Sequence, residues 1–360
     1  MRRFLLFCIL VVYVECKIHI FDANVTEIPA QRGTRIYFLT NGNEADLKLF
    51  TVKAAKSNIN TNVFAYSVPK PDGSLNPLTV TADDDTVVVT RPDGNKTPVT
   101  VYQDRITENL NVFPVFEKSA LQFKAGKNVY FAVDKPNEKI LTIKNLKVDR
   151  QNNGYLRAYS GVPGDLMPEP YLFFSSEINT DVSTFQQLDI PIYKFSLDSV
   201  FTGFTYTVSF GDYTKTLQTS GLIMSPGFPT TLQPSDVSYT VNRNGNEQVS
   251  IQMNPYFYSA VPYKTDIIVH FGFGVEQGTS LSSQLGGKMV TAGTINSIEV
   301  NSMGSYAIQY FSNSTATNTE GSTVPAGQGT TPSVITTTKS SHMIHTGLSI
   351  FTVVLSMFIR

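Results

Sequence analysis

The sequence has no tryptophan, four histidines and only two cysteines in 360 residues. Both cysteines, Cys8 and Cys16, fall in the first sixteen positions, inside what reads as a cleaved leader. A mature chain opening at Lys17 then carries no thiol, which excludes disulfides, thiolate metal ligands and cysteine nucleophiles together. Charge is sparse as well: Asp, Glu, Lys and Arg make up 16% of the chain and the formal net charge is −1. No basic stripe marks a nucleic-acid partner. Of the histidines, His342 and His345 sit near the C-terminal end, leaving His19 and His270 in the body. His270 follows Ile267, Ile268 and Val269 and reads as a strand histidine with a satisfied partner rather than a general base. H-E-x-x-H, G-x-S-x-G and a glycine-rich phosphate loop are all missing from the sequence. The chain is therefore read as non-enzymatic, with no cofactor and no metal. An undetected secreted hydrolase stays as the catalytic alternative, because the two carboxylates of a glycosidase are brought together by the fold and not by spacing.

Apolar runs long enough to span a bilayer, about 20 residues, are missing too, yet both ends carry shorter ones. Met1-Arg2-Arg3 precedes the apolar stretch 4–14, the layout of a secretory signal, and cleavage after Cys16 is expected. At the other end, residues 347–359 (GLSIFTVVLSMFI) form an apolar tail over 346–360, preceded by a polar, Ser/Thr-rich tract. That is the layout of a glycolipid-anchor signal. Ser340 is the candidate attachment residue, with Gly327 to Gly329 as an alternative that leaves a longer spacer. A short membrane segment or a peripheral apolar end is the competing reading of the tail, and Arg360 at its close favours it. Sequons at Asn24, Asn95 and Asn313 agree with passage through the secretory pathway.

Between the ends, the sequence reads as β throughout. Phe204, Tyr206, Val208 and Phe210 alternate with polar residues, as do Val249, Ile251 and Met253, and Tyr306, Ile308 and Tyr310. Turn pairs separate such runs: Asn41-Gly42, Pro71-Asp72-Gly73, Pro92-Asp93-Gly94, Asn153-Gly154 and Asn244-Gly245. No window shows a helical stripe. The expected fold is all-β, with tandem antiparallel β-sandwich modules over 17–112, 113–212 and 213–312. A weak repeat supports the tandem reading: GTRIYF at 33–38 recurs as GKNVYF at 126–131, and Ala65-Tyr66-Ser67 as Ala158-Tyr159-Ser160, both at an offset of 93. Residues 313–345 lack core-forming side chains and read as an extended, O-glycosylated stalk.

Two clusters draw notice in the body. Tyr256-Phe257-Tyr258, continued at Tyr263, suits a sugar or protein surface, since tyrosine joins an apolar face to a polar tip; the same rings would also serve as core filling. Asp83-Asp84-Asp85 suggests a cation at first sight, but the segment lacks the alternating ligands and glycine of a calcium loop and reads as an exposed acidic turn.

In the third module, Gly221, Ile223, Ser225, Pro226, Phe228 and Pro229 (GLIMSPGFP) resemble the opening strand pattern of CUB domains. Asp266-Ile267-Ile268-Val269, Leu285-Gly286-Gly287 and the segment from Ser302 to Phe311 are similar to later strands of that domain. Tyr155 to Gly161 (YLRAYSG) is a fainter echo in the second module. The chain thus resembles the divergent, nematode-expanded CUB-like family of secreted or glycolipid-anchored proteins, many of them induced by infection. The resemblance implies jelly-roll sandwiches and a role in surface recognition or barrier function in innate defence against microbes. Its implied partners are an extracellular protein, a glycan or a microbial surface, met at the outer face of the plasma membrane. The paired cysteines of ordinary CUB domains are missing here, and Asp266 alone does not make the calcium site that some of them carry, because a hard divalent ion takes six or more oxygen ligands. A purely structural coat glycoprotein is the alternative function.

Overall fold

A computed structural model describes residues 17–20, 24–105, 110–123, 126–133, 139–148, 154–162, 171–178, 184–200, 204–225, 228–229, 235–242, 248–258, 264–272, 276–282 and 289–315. The signal and tail expectations, residues 316–345 of the expected stalk, Ser340, Tyr263, Asn153, Asn244-Gly245 and Leu285-Gly286-Gly287 lie outside the described residues. Among them are twenty-six strands and two short helices, and the strands divide by sequence into three groups.

The first group holds β1 (Lys17–Ile20), β2 (Val25–Ala30), β3 (Arg35–Leu39), β4 (Thr51–Ala54), β5 (Ile59–Asn62), β6 (Leu78–Thr79), β7 (Asp85–Thr90) and β8 (Thr100–Asp104). Its sheets run β1-β8-β3-β6 and β2-β7-β4-β5. The second holds β9 (Leu110–Val115), β10 (Ala120–Phe123), β11 (Lys127–Ala132), β12 (Lys139–Val148), β13 (Tyr155–Ser160), β14 (Tyr171–Ser175), β15 (Thr184–Ile190), β16 (Lys194–Val200) and β17 (Phe204–Asp212). These form β10-β17-β12-β15 and β14-β13-β16-β11-β9. The third holds β18 (Thr216–Leu217), β19 (Ser220–Met224), β20 (Ser235–Val241), β21 (Gln248–Tyr258), β22 (Lys264–Phe271), β23 (Glu276–Ser282), β24 (Met289–Gly293), β25 (Ile295–Ser302) and β26 (Ser305–Thr315). They pair as β19-β26-β21-β24 and β18-β20-β25-β22-β23.

Setting aside β9 and β18, each group has eight strands in one topology. The first, eighth, third and sixth make one sheet, and the second, seventh, fourth and fifth make the other. That order is a jelly roll, the double Greek key of two packed sheets. In the second and third groups the extra leading strand pairs in parallel with the strand after next, β9 with β11 and β18 with β20.

Facing side chains from both sheets fill each sandwich. In the first module Ile28, Val52 and Val87 meet Ile36, Phe38 and Val101. Aromatic packing dominates the second: the Tyr130 ring stacks on Phe113 at 5.2 Å and on Phe195 at 4.8 Å. The hydroxyls of Tyr130 and Tyr206 lie 2.9 Å apart, and Asn128 Nδ2 donates to Tyr206 Oη at 2.5 Å, so the buried polar tips have partners. Burial pushes the Tyr206 phenol up to about 12. Large rings and aliphatics thus supply the cohesion expected of a body without crosslinks.

Several expectations change. The 93-residue offset is not the structural repeat. GTRIYF leads into β3, the third of its eight strands, whereas GKNVYF leads into β11, the second of its eight; Ala65-Tyr66-Ser67 is helical in α2 (Phe64–Ser67), while Ala158-Tyr159-Ser160 is strand. Equivalent strands open at Lys17, Ala120 and Ser220, offsets of 103 and 100. A glycine at positive φ, as at Gly33 and Gly126, followed by β-branched and aromatic residues is a general way into a strand and need not mark equivalence. A second helix missed by periodicity is α1 (Glu44–Lys48), too short to show a stripe; Asn43 caps it by accepting from Asp46 N at 2.9 Å. The acidic segment is only partly an exposed turn. Asp83 pairs at the surface with Arg32, but Asp85 is buried and accepts from the backbone N–H of Ser57, Thr86 and Lys56. Finally, β26 runs to Thr315, which puts Asn313 on a strand opposite Ser250 rather than at the start of a stalk.

Candidate binding surface

The first two modules are docked through the outer faces of their sheets, whereas the third lays a sheet face against the edge strands β14 and β15 of the second. On the first module Tyr37, Leu39 and Tyr102 point away from its core and pack with Val129, Phe131 and Val112 of the second. The rings of Tyr102 and Phe131 are 5.3 Å apart. Leu75 N donates to Val112 O across the same junction at 2.9 Å. On the third module Leu222, Met224, Phe228 and Ala307 join the core cluster of the second. Here Gln309, fully buried, uses its side-chain amide as a backbone would: Nε2 donates to Ser175 O at 3.0 Å and Oε1 accepts from Ser175 N at 3.1 Å. Since β14 ends its sheet, this bidentate contact satisfies an edge that would otherwise be open.

Both neighbours thus bear on one sheet, β14-β13-β16-β11-β9, the first module over β11 and the third at β14. Between them lie β13 and β16. On β13 Leu156, Ala158 and Ser160 are buried, and Tyr155, Arg157 and Tyr159 are half-buried on the opposite, outer face. Register sets Ser175, Arg157, Asp198 and Lys127 in one row across four strands. Arg157 Nε donates to Glu177 Oε2 at 2.8 Å, and its guanidinium lies 4.5 Å from the centroid of the Tyr155 ring. The Glu177 hydrogen bond, working against partial burial, raises the Arg157 pKa further. Burial likewise pushes the Tyr159 phenol up. The strip therefore carries phenol hydroxyls, a guanidinium fixed by Glu177 and the Glu177 carboxylate: acceptors, donors and ring faces, held by cross-strand pairing. Chemically, such a set offers hydrogen bonds and ring faces to a hydroxyl-rich or mixed-charge surface.

Of the residues singled out from sequence, Tyr256, Phe257 and Tyr258 close β21, with backbones opposite Ala307, Tyr306 and Ser305; their side chains lie outside the described residues. His270 Nε2 lies 3.1 Å from Glu299 Oε2, and Asn301 Nδ2 donates to Glu299 Oε1 at 2.8 Å, so the histidine has a cross-strand partner on the face of a sheet. These two hydrogen bonds hold the Glu299 carboxyl below its usual range. Asn24 and Asn313 are exposed and Asn95 partly so. Among the described residues no three His, Cys, Asp or Glu side chains converge to hold a metal, and no helix is long and apolar enough to cross a membrane. In the sequence the Tyr155 strip figured only in the faint CUB-like echo from Tyr155 to Gly161; its place between two docked neighbours depends on where the modules meet.

No protein-family model matches the chain, and no curated protein does. Matches to solved structures include the entire lipid-containing bacteriophage PM2, at 7% identity over 82% of this chain and 88% of that one, with a TM-score of 0.11. Another is the VP2 subviral particle of infectious bursal disease virus, at 10% identity over 81% and 71%, with a TM-score of 0.13. Overlap this slight names no relative, and the jelly-roll assignment stands on strand order alone.

Proposed function

We propose that the chain is a secreted glycoprotein, held at the outer face of the plasma membrane by a glycolipid anchor, that recognises an extracellular or microbial surface through its docked jelly rolls. The observation that carries this reading is the strip of Tyr155, Arg157 and Tyr159, half-buried on the outer face of a sheet between the strands that meet the two neighbouring modules. The leader, tail and sequons support export and anchoring, and the CUB-like resemblance supports a role in defence. Release from expressing cells by a phosphatidylinositol-specific phospholipase tests the anchor, with release expected. The freed protein is then offered to microbial cells and glycan arrays beside an Arg157→Ala/Tyr159→Ala variant. Binding is expected to weaken about tenfold or more in the variant, equivalent to roughly 1.4 kcal/mol. If both proteins bind nothing, a purely structural coat becomes the better account; equal binding by the two would move recognition elsewhere on the molecule.

A further inference from the structure

One end of the first module gathers two sequons and an apolar surface. Val25, Thr90, Thr51 and Asn62 stand side by side across β2, β7, β4 and β5, a row about 15 Å long at the usual strand spacing. Chain segments leaving this row carry every feature concerned. Asn24 directly precedes Val25, and its carbonyl accepts from Arg91 N at 2.7 Å. The connection after Thr90 bears Asn95; Asp93 within it accepts from Asn24 Nδ2 at 3.2 Å. Thr97, the last residue of the second sequon, donates from its backbone N to Asn95 Oδ1 at 2.9 Å and from its hydroxyl to Asp46 of α1 at 3.4 Å. Leu49 caps the C-terminal end of that helix, two residues before Thr51, and α2 begins two residues after Asn62.

The same end is unusually apolar. Seven large hydrophobic side chains are exposed among the described residues, and three of them are on these segments: Val25 at 50%, Leu49 at 58% and, directly after α2, Val68 at 48%. Phe64, half-buried under Lys48 Nζ at 5.3 Å, fills the space between the two helices. Single exposed hydrophobics need no explanation, but a group on one tip invites association or adsorption. Among the described residues none covers it, and the two asparagines beside it are the acceptor positions for N-linked oligosaccharides.

We infer that N-linked oligosaccharides on Asn24 and Asn95 cap this end of the first module and shield the Val25, Leu49, Phe64 and Val68 surface from self-association. The inference rests on the secretory reading above. Each glycosidic linkage leaves one N–H and the carbonyl oxygen on the asparagine amide, so a donor remains at Asn24 for Asp93 and the acceptor of the Asn95 turn is untouched.

The test uses full-length protein released from expressing cells. Peptide mass analysis first reads occupancy at Asn24, Asn95 and Asn313. A peptide amidase then strips the glycans under native conditions, and an Asn24→Gln/Asn95→Gln variant gives the bare tip by a second route. Sedimentation and fluorescence of an apolar dye are followed in each. Expected are occupied Asn24 and Asn95, a several-fold rise in dye fluorescence on removal, and a shift from monomer to oligomer. Adding Leu49→Glu and Val68→Glu is expected to reverse both changes. A bare protein that stays monomeric and dark, or one that associates just as strongly with the two glutamates in place, overturns the shield. Cell-surface protein modified only at Asn313 overturns it too while leaving the secretory reading standing; a chain never exported sinks both.

Discussion

Two buried carboxylates show how the same side chain is set to opposite purposes by its neighbours. Burial alone would raise the Asp85 pKa, but hydrogen bonds from Ser57, Thr86 and Lys56 outweigh it and hold the carboxyl below its usual range. The unfolded chain then takes up the proton more readily than the folded one. Asp85 therefore contributes stability that is complete above the ordinary carboxylate range and is lost as pH falls through the folded value. Asp189 on β15 accepts from Gln187 Nε2 at 2.6 Å and, across the connection to the third module, from Thr214 N at 3.1 Å. There burial prevails and the pKa is raised. Its charged form detracts from stability above that raised value, and the penalty fades as pH falls toward the unfolded one. Asp85→Asn is expected to lower the urea midpoint at pH 7 and to flatten the acid limb of the stability profile. Asp189→Asn, which keeps an acceptor for Thr214, is expected to leave the midpoint at pH 7 unchanged or higher. Urea titrations between pH 3 and 7 check both, and a marked loss at pH 7 in the Asp189 variant would show that its charge is needed.

At the level of strands, alternation was legible where one face meets solvent. Phe204, Tyr206 and Val208 are buried while Thr205 is exposed. It failed to reveal docking. Along β26 the sequence promises one buried set, Tyr306, Ile308 and Tyr310, yet Ala307 and Gln309 are buried as well because the other face meets the second module. A glutamine at such a place looks like a solvent residue until the edge of β14 is known to lie against it. Strand order across a sheet is set by contacts distant in sequence, so the jelly roll was legible only through the CUB-like resemblance, and the true repeat and the docking that flanks the Tyr155 strip were beyond pattern reading. Gln309→Leu keeps volume but leaves the Ser175 N–H and C=O without partners, and buried groups left so cost about 1 to 3 kcal/mol each. The variant is expected to lose about 2 kcal/mol, seen as a lower urea midpoint with an unchanged slope. No change in midpoint would mean that solvent reaches Ser175 and that the amide contact adds little.

Across the whole molecule, the three jelly rolls act as one body only if their junctions hold. The first junction is built from the outer faces of two sheets, with Tyr37 and Tyr102 stacked at 6.0 Å, Tyr102 against Phe131, and burial pushing the Tyr37 phenol up to about 12. A shallow gap beside it is lined by Leu39, Pro98, Thr100, Phe131, Ala132 and Val133. Phe131 is the ring common to the packing and the gap, and its outward position on β11 means that replacing it need not disturb the core formed by Tyr130 on the other face. Phe131→Glu would bury a carboxylate in an apolar seam and remove contacts of the kind worth about 3 kcal/mol. The charge finds water by opening the seam, so the first module is expected to swing free while all three sandwiches stay folded. Solution scattering should then show a larger radius of gyration, and thermal unfolding should split into two transitions where the parent shows one. The binding proposed for the Tyr155 strip, whose far side is held by the third module, should survive for small glycans and weaken for whole microbial surfaces that need the body aligned. A variant with the parent's radius and a single transition would show that the seam tolerates the charge and that the modules are coupled by other means.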